Sequence, residues 1–111
     1  MFEFDKKRRL LKKIEYDYVF EKAKKFVTDE FIFLYRKNTI GQARLGLALS
    51  KKLISKAHDR NRLKRLLRET FRAHSLPEID IIVMARKGVG TVENPIIYNK
   101  LRHVWVSLCV K

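Results

Sequence analysis

Between Lys51 and Arg72 the chain carries nine lysines and arginines against two acids, Asp59 and Glu69. Arginine dominates the run, and its planar fork grips phosphate bidentately and stacks on bases in a way lysine cannot. Arg60, Lys64, Arg68 and Arg72 follow one another at steps of four. A helix would stack these cations along one side, each neighbouring pair repelling by a few tenths of a kcal/mol. A phosphate backbone removes that repulsion, and contact with roughly 5 phosphates would make binding steeply salt-dependent. Asn61 is unusual on a helix rich in Leu, Lys and Arg, and could cap locally, bond RNA or brace a neighbouring loop. A second constellation is Tyr16 and Phe20, one helical turn apart. Single-stranded nucleotides stack on such faces for about 1–3 kcal/mol per base with little sequence preference, although the same stripe could fill a core. Hydrolytic chemistry has no comparable constellation. The twelve acids are scattered and converge with none of His58, His74 and His103. Metal or general-base hydrolysis needs such convergence, so no catalytic residue is expected in this chain.

The composition agrees with a binding role. Within 111 residues, 26 Lys and Arg oppose 12 Asp and Glu, a net charge of +14. Such self-repulsion is best explained by a polyanionic partner. At 46% apolar residues the chain is not of disordered composition, and its length suits one domain, residues 1–111. The lone Cys109 forms no internal disulfide, which points to a reducing, cytoplasmic setting. One cysteine and three histidines give no zinc spacing. The N-terminus lacks an apolar run of signal length, and no stretch approaches the ~18 apolar residues of a membrane span.

These side chains need elements to hold them. Residues 1–13 form a basic arm. Residues 14–25 read as a helix, with Tyr16, Val19, Phe20 and Ala23 on one face. Phe31–Tyr35 reads as a strand, Lys37–Gly41 as a turn and residues 43–50 as a second strand, a plausible hairpin. One face of Phe31–Tyr35 must pack under the long helix while the other could meet RNA, and core is the safe assignment for Ile32 and Leu34. Residues 55–74 give the strongest helix, with Leu63, Leu66, Leu67, Thr70 and Phe71 facing inward. Residues 79–88 read as a buried strand ending in glycine, with Arg86 and Lys87 as candidates to extend the basic surface. Asn94-Pro95 opens a last helix carrying Ile97, Leu101, Val104, Trp105 and Leu108. The order α-β-β-α-β-α describes an α+β sandwich of a mainly antiparallel sheet with helices.

The segment 48–72 resembles the protein subunit of bacterial ribonuclease P. Ser50-Lys51-Lys52 closes a strand, followed in order by Arg60-Asn61-Arg62, Lys64-Arg65, Arg68-Glu69 and the aromatic Phe71. The basic arm leading to Val19-Phe20 and the strand ending in Ala85-Arg86-Lys87-Gly88 are similar to the same family. The resemblance implies one domain with an unusual left-handed β-α-β crossover, where ordinary handedness predicts the opposite. It also implies that catalysis belongs to an RNA subunit using magnesium to remove the 5′ leader of precursor tRNA. Lys51, Lys52, Arg60, Asn61, Arg62, Lys64, Arg65 and Arg68 would contact that RNA. Tyr16 and Phe20, with Phe33 or Tyr35 from the first strand, would line a cleft for the leader. Asp17 could help recruit magnesium there, although no ligand set is assignable. The implied partners are ribonuclease P RNA and precursor tRNA, with no membrane and no obligate protein partner. A ribosomal-type RNA-binding protein is the alternative, and shares the size, charge and architecture.

Overall fold

The computed structural model describes residues 8–109; the part of the basic arm that includes Lys6 and Lys7 lies outside them. The elements are α1 (Lys13–Glu21), β1 (Lys24–Val27), β2 (Phe31–Lys37), β3 (Arg44–Ala48), α2 (Ala57–Arg72), β4 (Ile79–Ala85) and α3 (Asn94–Cys109), with a short 3₁₀ turn at Val89–Thr91. The sheet order is β1-β2-β4-β3. β1/β2 and β2/β4 pair antiparallel, whereas β3/β4 pair parallel across the α2 connection. The α+β sandwich is therefore as expected, with one strand more.

That strand, β1, falls where the expected helix 14–25 overran. Lys24 and Lys25 suit a helix, but the chain leaves it at Lys22, and Lys24–Val27 pairs along β2. Thr28 closes the turn, its backbone N–H donating to the Phe31 carbonyl and its hydroxyl accepting from the Phe31 N–H. The expected hairpin between the strands at 31–35 and 43–50 is also corrected, because β4 lies between them. β4 is apolar on both faces apart from Asp80, and only an interior position covers both.

Strand alternation divides the core. Phe31, Phe33 and Tyr35 of β2 share one face with Ile81 and Val83 of β4, and α2 and α3 cover it with Leu63, Leu67, Phe71 and Trp105. Trp105 meets Phe33 and Phe71 edge-on at 5.6 Å in each case and donates its indole N–H to Thr70 Oγ1 at 2.8 Å. Thr70 Oγ1 in turn donates to the Leu66 carbonyl, so both buried polar groups are bonded. The opposite face carries a smaller cluster of Leu10, Val19 and Ile82, flanked by Tyr16, Leu34, Ala48 and Met84. Here α1 lies across the sheet. The arm joins it: Arg9 bridges Leu45 on the outer edge of β3, and the Leu10 N–H donates to the Leu45 carbonyl.

Candidate nucleic-acid interface

The inward stripe of α2 leaves its charged residues on the remaining surface. Asn61 and Arg65 are exposed, as are Lys51 and Lys52 in the preceding turn, while Lys64 and Arg68 are half-buried on one flank. Ser50 holds the turn by accepting the Lys52 N–H on its hydroxyl. The two arginines flanking Asn61 face other tasks. Arg60 donates to the carbonyls of Ile54 and Ser55, fixing the entry to α2. Arg62 donates to the carbonyls of Val92 and Gly90 and to Asn94 Oδ1, and lies 3.6 Å from Asp59. Its side chain is 14% exposed and three of its N–H donors lock the loop before α3 onto α2, so the RNA contact expected of Arg62 gives way to bracing that loop. The loop-bracing role considered for Asn61 belongs to its neighbour. His58, beside the motif, is exposed.

On the other side of the sheet, register sets up three rows across the strands. Arg36, Asp80 and Arg44 form one; Lys25, Leu34, Ile82 and Gly46 the next; Val27, Ile32, Met84 and Ala48 the third. Val19 seals the middle row. Helical rotation then turns Glu15 and Tyr18 toward the polar row and Phe20 toward the third, while the Tyr16 hydroxyl lies against Gly46 of the middle row. Ile32, Met84 and Ala48 are only half-buried, and Val27 and Phe20 are 49% and 48% exposed. An aromatic thus stands beside an open apolar strip, and Phe20 is not a core residue. Phe33 and Tyr35 are corrected in the opposite sense. They are 0% and 8% exposed on the α2–α3 face, so neither offers a ring to a nucleotide, and the β2 residues on the α1 side are Ile32 and Leu34.

The polar row is a connected network that sequence reasoning missed. Asp80 is wholly buried. Its Oδ1 accepts from Arg44 Nε at 2.9 Å and Asn38 Nδ2 at 2.7 Å, and its Oδ2 from Arg44 at 2.8 Å. Arg44 also reaches Glu15 Oε2 at 2.8 Å, and Glu15 Oε1 accepts the backbone N–H groups of Leu11 and Lys12. The Lys12 amide is the main influence holding the Glu15 carboxyl below its ordinary pKa, with Leu11 and Arg44 adding to it against burial. The Asp80 hydrogen bond is the main influence raising Arg44. The network pins α1 and the arm to the sheet and so sets the pitch at which Tyr16 and Phe20 are presented. One acid inside the apolar run 79–85 was the available signal.

Among the described residues no group of three or more His, Cys, Asp or Glu could hold a metal ion. Asp17 is exposed and paired with Lys13 at 3.1 Å. Arg86 donates to the Thr28 carbonyl, tying the β1–β2 turn to the end of β4, whereas Lys87 is exposed. No helix of the described residues is long and apolar enough to cross a membrane.

Comparison with known proteins meets this geometry. The sequence model of the family Ribonuclease P matches residues 4–109. The ribonuclease P protein component of Legionella pneumophila (strain Corby) is 60% identical over 108 residues, covering 97% of this chain and 95% of its own. That of Escherichia coli O157:H7 is 38% identical over 108 residues, covering 96% and 91%. The solved RNase P protein of Staphylococcus aureus superposes with a TM-score of 0.85 at 30% identity, covering 94% of this chain and 98% of its own. That of Thermotoga maritima gives 0.76 at 32% identity, covering 87% and 94%. With a family model matched over residues 4–109 and nearly its whole length shared with these proteins, the chain belongs to the ribonuclease P protein family, the protein component that works with ribonuclease P RNA in tRNA 5′ processing.

Proposed function

We propose that this chain acts as one RNA-binding unit with two working surfaces. Lys51, Lys52, Asn61, Lys64, Arg65 and Arg68, with the remaining donors of Arg60, hold the backbone of ribonuclease P RNA. Tyr16, against Gly46, and Phe20, beside the strip of Ile32, Met84 and Ala48, hold the 5′ leader of precursor tRNA. The observation that carries this reading is the half-exposed Phe20 ring beside a half-buried apolar row. Stacking on such a ring tolerates any base, which suits an enzyme meeting many leaders.

In this reading hydrolysis of the phosphodiester belongs to the RNA subunit. Magnesium supplies Lewis-acid and water-activating chemistry when bound there. The described carboxylates and histidines offer no cage for it, so no step is assigned to this chain. What the protein does is bind, orient and neutralise charge. The single thiol, Cys109, accords with cytoplasmic work under reducing conditions.

The test is reconstitution with ribonuclease P RNA at low magnesium. The protein alone is expected to leave precursor tRNA intact, and its addition to the RNA to stimulate cleavage. Absence of stimulation would overturn the proposal. Phe20→Ala is expected to weaken precursor binding more than binding of mature tRNA, and equal losses would remove Phe20 from the leader surface.

A further inference from the structure

At one corner of the sheet, the start of β1, the end of β2 and the start of β4 meet Leu108 of α3 around a cavity of about 580 Å³. Tyr35, Pro77, Ile79 and Leu108 make its lining mostly apolar, and no described acid lines it. Tyr35, Ile79 and Leu108 belong to the main core cluster, so the cavity opens directly on the edge of that core. Its far wall is tied down by backbone hydrogen bonds. The Ile79 N–H donates to the Pro77 carbonyl at 2.8 Å, and the Asn38 N–H to the Glu78 carbonyl at 3.0 Å. The cavity therefore exists before any ligand arrives, which lowers the cost of filling it.

The polar part of the lining is cationic and uncommitted. In the register Lys24 stands opposite Tyr35 and Lys37 opposite Ile79, so alternation carries both lysines onto the face that the core residues use. Lys22, just past α1, joins them. All three are exposed, and none is ion-paired with a described carboxylate. Arg36 differs: it donates to the Tyr18 carbonyl, stacks 3.7 Å from the centre of the Tyr18 ring and lies 3.7 Å from Glu21. The Tyr35 hydroxyl has no hydrogen-bond partner among the described residues, although Tyr35 is 8% exposed and a phenol so deeply placed usually finds one.

These features select an occupant. An anion is required by the lysines, and an apolar body by the lining. RNA supplies the first but fits the second poorly. Base stacking needs an exposed aromatic face, which Tyr35 does not offer. A base edge also needs paired donors and acceptors, and the lining holds no amide side chain and no acid. A large apolar amino-acid side chain enters with nothing polar to strip, and neighbouring carboxylates reach the lysines. The corner is also remote from the surfaces assigned to RNA. β3 and β4 run parallel, so Lys51 and Lys52, which follow β3, stand at the opposite end of the sheet from Ile79. The strip beside Phe20 lies at that opposite end too.

We propose that this corner is a docking site for a short acidic segment of a partner protein. One large apolar side chain fills the cavity, flanking carboxylates pair with Lys22, Lys24 and Lys37, and the Tyr35 hydroxyl donates to an acceptor of the segment. Binding there leaves both RNA surfaces free.

The test titrates a peptide, Asp-Glu-Asp-Phe-Glu-Asp-Glu, against the isotope-labelled full chain while the Ile79 and Leu108 methyl resonances are followed. A peptide with alanine for phenylalanine and an oligouridylate of equal charge serve as comparisons. Saturable shifts at both methyls are expected with the phenylalanine peptide, and affinity about tenfold or more lower with the alanine peptide. The double variant Lys24→Gln, Lys37→Gln keeps the apolar lining and is expected to bind about tenfold more weakly. Tyr35→Phe removes only the hydroxyl and is expected to lose about fivefold. Melting temperatures close to that of the native chain show that the variants fold. The methyl shifts are expected to persist when ribonuclease P RNA is bound. Equal binding of the two peptides would reduce the effect to general attraction by the net positive charge, and would overturn the proposal. Absence of methyl shifts, or undiminished affinity in both variants, would do the same. Methyl shifts produced by the oligouridylate would make RNA the occupant and likewise overturn it.

Discussion

Arg62 and Arg65 stand three positions apart with the same side chain, yet do different work. Three donors of Arg62 are spent on Gly90, Val92 and Asn94, whereas Arg65 is exposed. Arg62→Ala is therefore expected to lower the melting temperature while leaving the salt slope of RNA binding unchanged. Arg65→Ala should do the reverse, reducing the slope by about one with little effect on melting. Calorimetry and salt titration of both variants check this. The aromatics divide in the same way. Phe33→Ala empties a site against Trp105 and is expected to cost about 3–5 kcal/mol of stability. Phe20→Ala should cost far less stability but about 1–3 kcal/mol of precursor affinity. Denaturant titration beside tRNA binding separates them. Aromatic identity was legible in the sequence, but the side of the sheet was not: alternation assigns partners to a face without saying which face the helices cover.

At the scale of elements, α1 is held by an ionic chain more than by its own sequence. It is nine residues long, too short to be stable alone. Val19 docks it, and Glu15–Arg44–Asp80 fixes its angle. Arg44→Ala would leave the buried Asp80 charge without its guanidinium, and is expected to destabilise the fold by about 3–5 kcal/mol, measured by denaturant titration. Glu15 adds a pH dependence. Its pKa is lowered on folding, so between the folded and unfolded values the unfolded chain binds more protons. The Glu15 contribution is full above the ordinary value of about 4.5 and is lost as pH falls through the lower, folded value. Glu15→Gln should remove that component, so its acid-unfolding curve is expected to be shallower than that of the native chain below about pH 4.5. The missed strand β1 belongs to this scale too. Its lysines favour a helix, and its pairing with β2 overrides that preference.

At the scale of the molecule, a net charge of +14 sits on a domain whose longest dimension is 36 Å. If about 5 phosphates are neutralised, raising salt from about 50 to about 200 mM is expected to lower affinity for ribonuclease P RNA on the order of a hundredfold. Filter binding across that range measures it. A much flatter response would mean that apolar or base contacts dominate.

What the residues alone determined is the chemistry and the local order: a cationic helix with a leucine stripe, an apolar central strand, a tryptophan-bearing last helix and the motif run from Ser50 to Phe71. These follow from periodicity and side-chain type, which act over one or two turns. Only the tertiary structure decided that β4 separates β2 from β3, that Phe33 lies within the core while Phe20 stands outside, and that Arg62 turns inward. Each of these depends on which distant segment competes best for the same surface or the same donors, and chain-local patterns carry no record of that competition.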